Sequence, residues 1–414
     1  MKVCYVTHKP NLTGANRSLL DLLDGLDRDR YEPVVLVNRR GPLLSELKKR
    51  DIPYKYALIP PTLNSDNPVL DFLKRVLNSV PVNRLCVETV KLRLRGIRPD
   101  LVHNNSLLCS VGMQAARELK LPYLCHFRDF LWEDHHRKLL RPKRVHKLMD
   151  DADVCISISE TVKEKFQPFV TKDVVVIQDG IHTELYDLPA RPVLRNREVH
   201  LLMAGRLHPG KGQIDAVKAV ELARQKTDRD LKLHILGTVG DPAYAEELHD
   251  YVDSRHLDFV SIEDFVSDLS ALREACDIGL TCSYSEGLGR VTIENMLASL
   301  LVIASDSGGT LEIVTDMENG IYYKTGDPAD LAEKILWALD HPDDCMPIIE
   351  EGHRFAKETY DCRAYTAKDR KIAGTTVFVG INPAAPKNIY KTASQQSVFK
   401  YTTVERFCSF SYDN

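Results

Sequence analysis

Ser283-Tyr-Ser-Glu286-Gly-Leu-Gly289-Arg-Val-Thr-Ile-Glu294-Asn-Met296 lies one residue after the apolar run Cys276-Asp-Ile-Gly-Leu-Thr281. The run reads as a buried strand, and the stretch after it as a glycine turn entering an amphipathic helix. That order leaves unpaired backbone N–H groups at the helix start, which form an anion site. The two glutamates flank this start. In a continuous helix they would sit ~12 Å apart along the axis. Hydrolytic carboxylate pairs work at ~5–5.5 Å or ~6.5–9.5 Å, so a glycosidase dyad is excluded. The spacing suits a longer ligand, with a diphosphate in the middle and hydroxyl-rich rings at both ends. A nucleotide-sugar has that form.

Upstream, Val199-His-Leu-Leu-Met-Ala204-Gly205-Arg206-Leu-His208-Pro-Gly210-Lys211-Gly212 has the same logic. An apolar strand runs into Gly205 and Arg206, then into a Pro/Gly loop carrying Lys211, then into a helix from about Gln213. Arginine offers phosphate a planar fork and lysine a point charge, so the pair can grip a diphosphate from two sides. Such charge-assisted bonds contribute roughly 1.5–3 kcal/mol each. Downstream lies Ser307-Gly308-Gly309-Thr310-Leu-Glu312.

Together these stretches resemble the retaining glycosyltransferases of family 4, over roughly residues 1–345. The resemblance implies the α/β GT-B fold: two Rossmann-like, doubly wound parallel-sheet domains facing a cleft. It implies that Arg206 and Lys211 hold the donor diphosphate, Glu294 the ribose hydroxyls and Glu286 the transferred sugar. Gly205 and the backbone of Gly287-Leu288-Gly289 would line the donor.

In the N-terminal half the first strand ends in Thr7-His8-Lys9-Pro-Asn-Leu-Thr13-Gly14-Ala15. The family usually has a Gly-Gly pair in this loop, where an amide approaches the donor phosphate; here Gly14 alone matches. Leu124-Cys-His126-Phe-Arg128-Asp129 follows another strand. By the resemblance His126 contacts the sugar at the reacting centre, joining Glu286, Arg206 and Lys211 in catalysis. Arg128 and Asp129 would orient the acceptor, with Asn104 lining the cleft from a neighbouring strand end. At Ile177-Gln178-Asp179-Gly180 the usual Asn is replaced by Asp179, which still reads as a turn.

Strands are expected at Val3–Thr7, Pro33–Val37, Leu101–His103, Tyr123–His126, Val154–Ser157 and Val174–Ile177, with helices between them. That alternation implies parallel strands, right-handed crossovers and crevices at the strand C-terminal ends. Residues 55–70 read as loop. The domain boundaries follow: 1–186 an acceptor domain, 187–198 a proline-bearing linker, 199–345 a nucleotide-sugar domain. Residues 346–372 would be a helical segment packing back on the first domain, with Ile348–Thr359 its helix. Residues 373–414, rich in Thr, Ser, Tyr and Gln, match nothing in the family.

The chain has 414 residues, 43% hydrophobic and 28% charged, which fits two globular domains and excludes a disordered chain. No apolar run approaches the ~20 residues that cross a bilayer. The sequence begins directly with a strand, and its ten cysteines include no C-x-x-C pair. They read as reduced core residues of a cytoplasmic protein. Basic charge concentrates at Lys91–Arg98 and at His135–Lys147. These runs are either solvated helix faces or a contact with anionic lipid headgroups, at ~1 kcal/mol per basic residue. Nucleic acid is excluded, because no aromatic stacking platform is interleaved with the charges.

The expected reaction moves a sugar from a nucleoside diphosphate to a hydroxyl, with retained configuration. Its expected setting is cell-surface polysaccharide or glycolipid synthesis on a lipid-linked acceptor, on the inner face of the membrane. No cofactor is expected, and no metal: the Asp-x-Asp pairs Asp27/Asp29, Asp151/Asp153 and Asp228/Asp230 sit in polar turns. Alternatives are a GT-B-like epimerase or phosphorylase, or a non-catalytic paralogue that only binds nucleotide-sugar. A dinucleotide dehydrogenase is excluded, since Gly-x-Gly-x-x-Gly is missing after the first strand.

Overall fold

The computed structural model describes residues 1–362 apart from residues 13, 61, 66, 132–137 and 267. His135, His136, Arg137 and the expected segments 363–372 and 373–414 lie outside the described residues.

Among the described residues thirteen strands form two wholly parallel sheets. The first contains β1 (Lys2–Val6), β2 (Glu32–Val37), β3 (Tyr54–Tyr56), β4 (Leu101–Asn104), β5 (Tyr123–Phe127), β6 (Val154–Ser157) and β7 (Val175–Val176). Its order is β3-β2-β1-β4-β5-β6-β7. The second contains β8 (Glu198–Ala204), β9 (Asp230–Leu236), β10 (Val260–Glu263), β11 (Ile278–Thr281), β12 (Leu301–Ser305) and β13 (Ile321–Tyr323), in the order β10-β9-β8-β11-β12-β13. Helices cover both faces, which is why the central strands read as unbroken apolar runs: Val3, Cys4, Tyr5 and Val6 are all buried.

Each sheet reverses its winding once, between β1 and β4 and between β8 and β11. Ligands in open α/β sheets bind in the crevice beyond such a reversal. The segments beyond β8 and β11 are the two stretches that carry Arg206, Lys211 and Glu286 in loops and Glu294 on the helix that follows. The topology therefore brings together what the sequence separates by about eighty residues.

Three boundaries differ from expectation. Residues 55–70 are not all loop, since β3 and the start of the helix Pro68–Leu77 fall among them. Both elements expose residues that a core element would bury, so no burial period marks them. The expected linker is not a free connection. Leu188 N donates to Leu297 O (3.0 Å), Val193 and Leu194 are buried, and Arg191 donates to the carbonyls of Ala298, Arg273 and Cys276. The segment packs as part of the second domain. The closing helix is Pro342–Tyr360, beginning six residues before Ile348 and carrying Pro347 inside it. Its end reaches the first domain, where Ile181 N donates to Tyr360 O (2.7 Å) and Cys362 N to Ile181 O (2.9 Å). All nine described cysteines are buried, and Cys4, Cys86, Cys109, Cys125, Cys155, Cys276, Cys282 and Cys345 are free thiols.

Beside that junction, His182 Nε2 lies 3.1 Å from Asp24 Oδ2, and its Nδ1 3.5 Å from Cys362 Sγ. The Asp24 hydrogen bond first, then Cys362, raise the imidazole pKa to about 11. A folded-state pKa above the unfolded ~6.5 gives stability that is complete below that pH and lost as pH rises toward the folded value. The wild-type melting temperature should therefore fall more steeply between neutral pH and about 10 than that of His182→Gln, read by calorimetry.

Candidate active site

The Glu286 loop rests on a cradle of small residues. Ser305 Oγ and Ser307 Oγ both donate to Ser283 O at 2.6 Å, and Gly309 N donates to Glu286 O at 2.7 Å. A Cβ on Gly308 would lie 2.6 Å from Glu286 O, at φ +54, so only glycine fits. Gly289, at φ +94, then turns the chain into the helix Arg290–Leu297. The first N–H groups of that helix have no intrahelical acceptor, and its dipole favours an anion in front of them.

The cationic loop is pressed against this one. His208 Nδ1 accepts from Gly210 N (3.1 Å), Tyr284 N donates to Gly210 O (3.0 Å), and Gly212 has φ +68 with Cys282 O where its Cβ would be. The contact sets Lys211 Nζ on Glu286 Oε1, an oxygen that also accepts from Ser283 Oγ at 2.8 Å. Lys211 and Glu286 thus neutralise each other. Among the described residues no acceptor lies within reach of the Arg206 guanidinium. A Cβ on the adjacent Gly205 would meet nothing within 4 Å.

Glu294, expected to hold the ribose hydroxyls, has a partner in the protein that the sequence did not indicate. It is 5% exposed, and its Oε2 accepts from Arg273 Nη2 at 2.6 Å. Arg273 is 3% exposed, with its guanidinium 5.1 Å from the Tyr186 ring centroid. The sequence reading missed Arg273. In Leu272-Arg273-Glu274-Ala275 it looks like a surface charge on a short helix.

In the first domain, Gly14 opens the helix Gly14–Asp24 with space around its missing Cβ. His126 lies at the end of a row of tilted rings, Tyr5–His103–His126, with centroids 5.0 and 5.5 Å apart. Its Nδ1 is 3.4 Å from His103 Nε2, and its Nε2 has no partner. Burial, then Arg128, hold His126 well below the usual histidine range, so its ring is neutral at pH 7. The ring lines a cavity of about 40 Å³ shared with Asp21, Arg128, Gln178 and Asp179.

One acceptor candidate needs correction, and a second is also held by the protein itself. Asn104 is fully buried, its Nδ2 donates to Leu124 O (3.4 Å), and a Cβ on Gly112 would lie 2.3 Å from its Oδ1. It packs under the helix Ser110–Glu118 and cannot line the cleft, because strand alternation sends it to the face opposite His103. Arg128 is a buried strut. Its Nε donates to Asn105 Oδ1 (3.0 Å) and its Nη1 to both oxygens of Asp179 (2.7 and 2.6 Å). The departure from Asn at position 179 thus has a physical reason, since the carboxylate balances Arg128. Asp129 Oδ1 accepts from Leu131 N (3.2 Å).

The domains meet around the same loops. Arg290 pairs with Asp21 at 2.9 Å, and the Glu312 carboxylate accepts from Glu160 N and Thr161 N, both at 3.0 Å. Glu312 so caps a helix of the opposite domain, a role invisible in the motif that contains it. A Cβ on Gly287 would lie 2.8 Å from Arg128 O and 3.0 Å from Ile158 Cδ1. Gly287→Ala should force the domains apart, lowering kcat by about tenfold or more and enlarging the radius of gyration in small-angle scattering.

A sequence profile described as Glycosyl transferases group 1 matches residues 188–358, and one described as Glycosyltransferase Family 4 matches residues 12–185. An uncharacterized glycosyltransferase of Methanocaldococcus jannaschii is 28% identical over 216 residues, 50% of this chain and 56% of its own. D-inositol 3-phosphate glycosyltransferase 2 of Catenulispora acidiphila is 32% identical over 151 residues, 34% of this chain and 35% of its own. The chain spans about half the length of the first and a third of the second. The crystal structure of Anabaena HepE in complex with UDP and glucose superposes with a TM-score of 0.74, at 22% identity, covering 91% of this chain and 100% of that one. The two Rossmann-like domains are a GT-B fold.

Proposed function

The chain belongs to the family 4 glycosyltransferases, and from that premise we propose that it moves a sugar from a nucleoside diphosphate to a hydroxyl with retention of configuration. One observation carries the reading. Lys211 and Glu286, from separate motifs, meet in front of the helix start at Gly289, with Arg206 in the same loop as Lys211. When a diphosphate enters, Lys211 exchanges the carboxylate for phosphate oxygens, and Glu286 is freed for sugar hydroxyls.

As the bond from the anomeric carbon to the diphosphate breaks, charge grows on the leaving oxygen. Arg206, Lys211 and the helix N–H groups meet that charge and lower the barrier. The acceptor oxygen adds to the anomeric carbon on the face the diphosphate leaves. Its proton passes to a departing phosphate oxygen. Two cations from one loop supply the charge a divalent ion would otherwise bring, so turnover should survive EDTA. A neutral His126 fits contact with sugar hydroxyls better than proton transfer.

We place the acceptor among lipid-linked or cell-surface glycans. The test is release of nucleoside diphosphate from UDP-, GDP-, ADP- and TDP-sugars in the presence of membranes; the UDP complex of HepE makes UDP-glucose the first choice. Release from one donor, dependent on the membrane fraction, is expected. Binding of a nucleotide-sugar with no release from any donor would instead favour the non-catalytic paralogue.

A further inference from the structure

The helix Pro68–Leu77 is built inside out. Asn67 caps it, its Oδ1 accepting from Val69 N and Leu70 N at 3.0 Å. Its polar residues hold it to the protein: Asp71 Oδ1 accepts from Ser65 N (2.9 Å), Lys74 Nζ donates to Asn64 O (3.0 Å), and Asn78 just beyond is 1% exposed. Its apolar residues point away. Val69, Leu70, Phe72, Leu73, Val76 and Leu77 are 40–68% exposed, and no residue of the helix is buried. At 3.6 residues per turn these six span an arc of about 160°. Single exposed leucines are ordinary, but a continuous apolar helix face is an interaction surface.

The surroundings indicate the partner. Lys138 N donates to Asn64 Oδ1 (2.7 Å) before the helix, and Arg144 Nη2 reaches Asn78 Oδ1 (3.5 Å) after it. Both ends are therefore tied to the stretch 138–149, which holds Lys138, Arg141, Lys143, Arg144 and Lys147 and no acidic residue. Lys143 and Lys147 are exposed. The other basic run is partly spent: Lys91 pairs with Glu88 and Glu118, and Arg93 donates to Tyr56 O. An apolar face flanked by cations matches the boundary between acyl chains and anionic headgroups. No described helix is long and apolar enough to cross a membrane.

We infer that Pro68–Leu77, with the basic stretch beside it, docks the protein on an anionic lipid surface. This deepens the lipid-linked acceptor reading above and rests on it for its purpose, though its test is independent of turnover. The full chain is sedimented with vesicles of phosphatidylcholine alone or mixed with phosphatidylglycerol. Wild type should pellet with the anionic vesicles and less with the neutral ones or in high salt. The double change Phe72→Glu and Leu73→Glu should lower binding about tenfold or more, with melting temperature and nucleotide affinity unchanged. Lys143→Glu with Lys147→Glu should remove the preference for anionic lipid. The inference is overturned if wild type ignores both vesicles, or if the Phe72/Leu73 variant binds as well as wild type. It is equally overturned if those changes turn a lipid-free dimer into a monomer, or if vesicles bind only after residues 363–414 are deleted. Intact nucleotide affinity in every variant separates these failures from failure of the transferase reading.

Discussion

Arg206→Ala lowers kcat/KM for the donor by about 10²- to 10³-fold, the loss typical when a preorganised charge-stabilising donor is removed. Among the described residues this guanidinium has no carboxylate to satisfy, so its replacement leaves nothing else unpaired. The loss should therefore fall on turnover, with melting temperature unchanged. Arg206→Lys should recover only part of it, because a point charge cannot reproduce the fork. Lys211→Ala should cost a similar factor but also release Glu286, which has Ser283 Oγ as its remaining partner. Because both cations act on one leaving group, the double variant should fall short of the product of the single losses. Steady-state kinetics with the donor found by the release assay reads all three.

Arg273→Ala has the largest expected effect on stability, a loss of about 3–5 kcal/mol, since it strands the Glu294 carboxylate in the interior. Both side chains are almost wholly inaccessible, at 4% and 7% of their area, so solvent does little to screen them. Replacing both residues by methionine should restore much of the stability while leaving donor use impaired. That combination would show that the pair is kept for the ligand rather than for the fold. Urea unfolding of the single and double variants supplies the numbers. Equal midpoints for Arg273→Ala and wild type would remove the buried pair from the account.

The sequence was most readable where apolar runs end in glycine. The runs before Gly205 and Ser283 predict β8 and β11, and the glycine turns after them predict where Lys211 and Glu286 go. Steric need explains why: Gly212 and Gly308 sit where a Cβ would strike Cys282 O and Glu286 O. It was least readable where a polar residue serves the interior. Asn104, Arg128 and Glu294 were read as ligand contacts with no protein partner foreseen; Asn104 packs beneath a helix, and Arg128 and Glu294 are held by Asp179 and Arg273. Those partners lie 51 and 21 residues away, beyond any local pattern. Strand alternation could have separated His103 from Asn104. Nothing local could have marked Glu312 as the cap of a helix some 150 residues earlier, nor Pro68–Leu77 as a helix whose apolar side faces out.

The most direct measurement is calorimetric titration of nucleoside diphosphate, and of the matching nucleoside, into wild type and into Arg206→Ala/Lys211→Ala. Each lost charge-assisted bond is worth roughly 1.5–3 kcal/mol, so diphosphate affinity should drop at least a hundredfold in the variant while the weaker nucleoside affinity stays the same. Equal diphosphate affinity in the two proteins, or a nucleoside that binds wild type as tightly as its diphosphate, would contradict a site built to hold the leaving pyrophosphate.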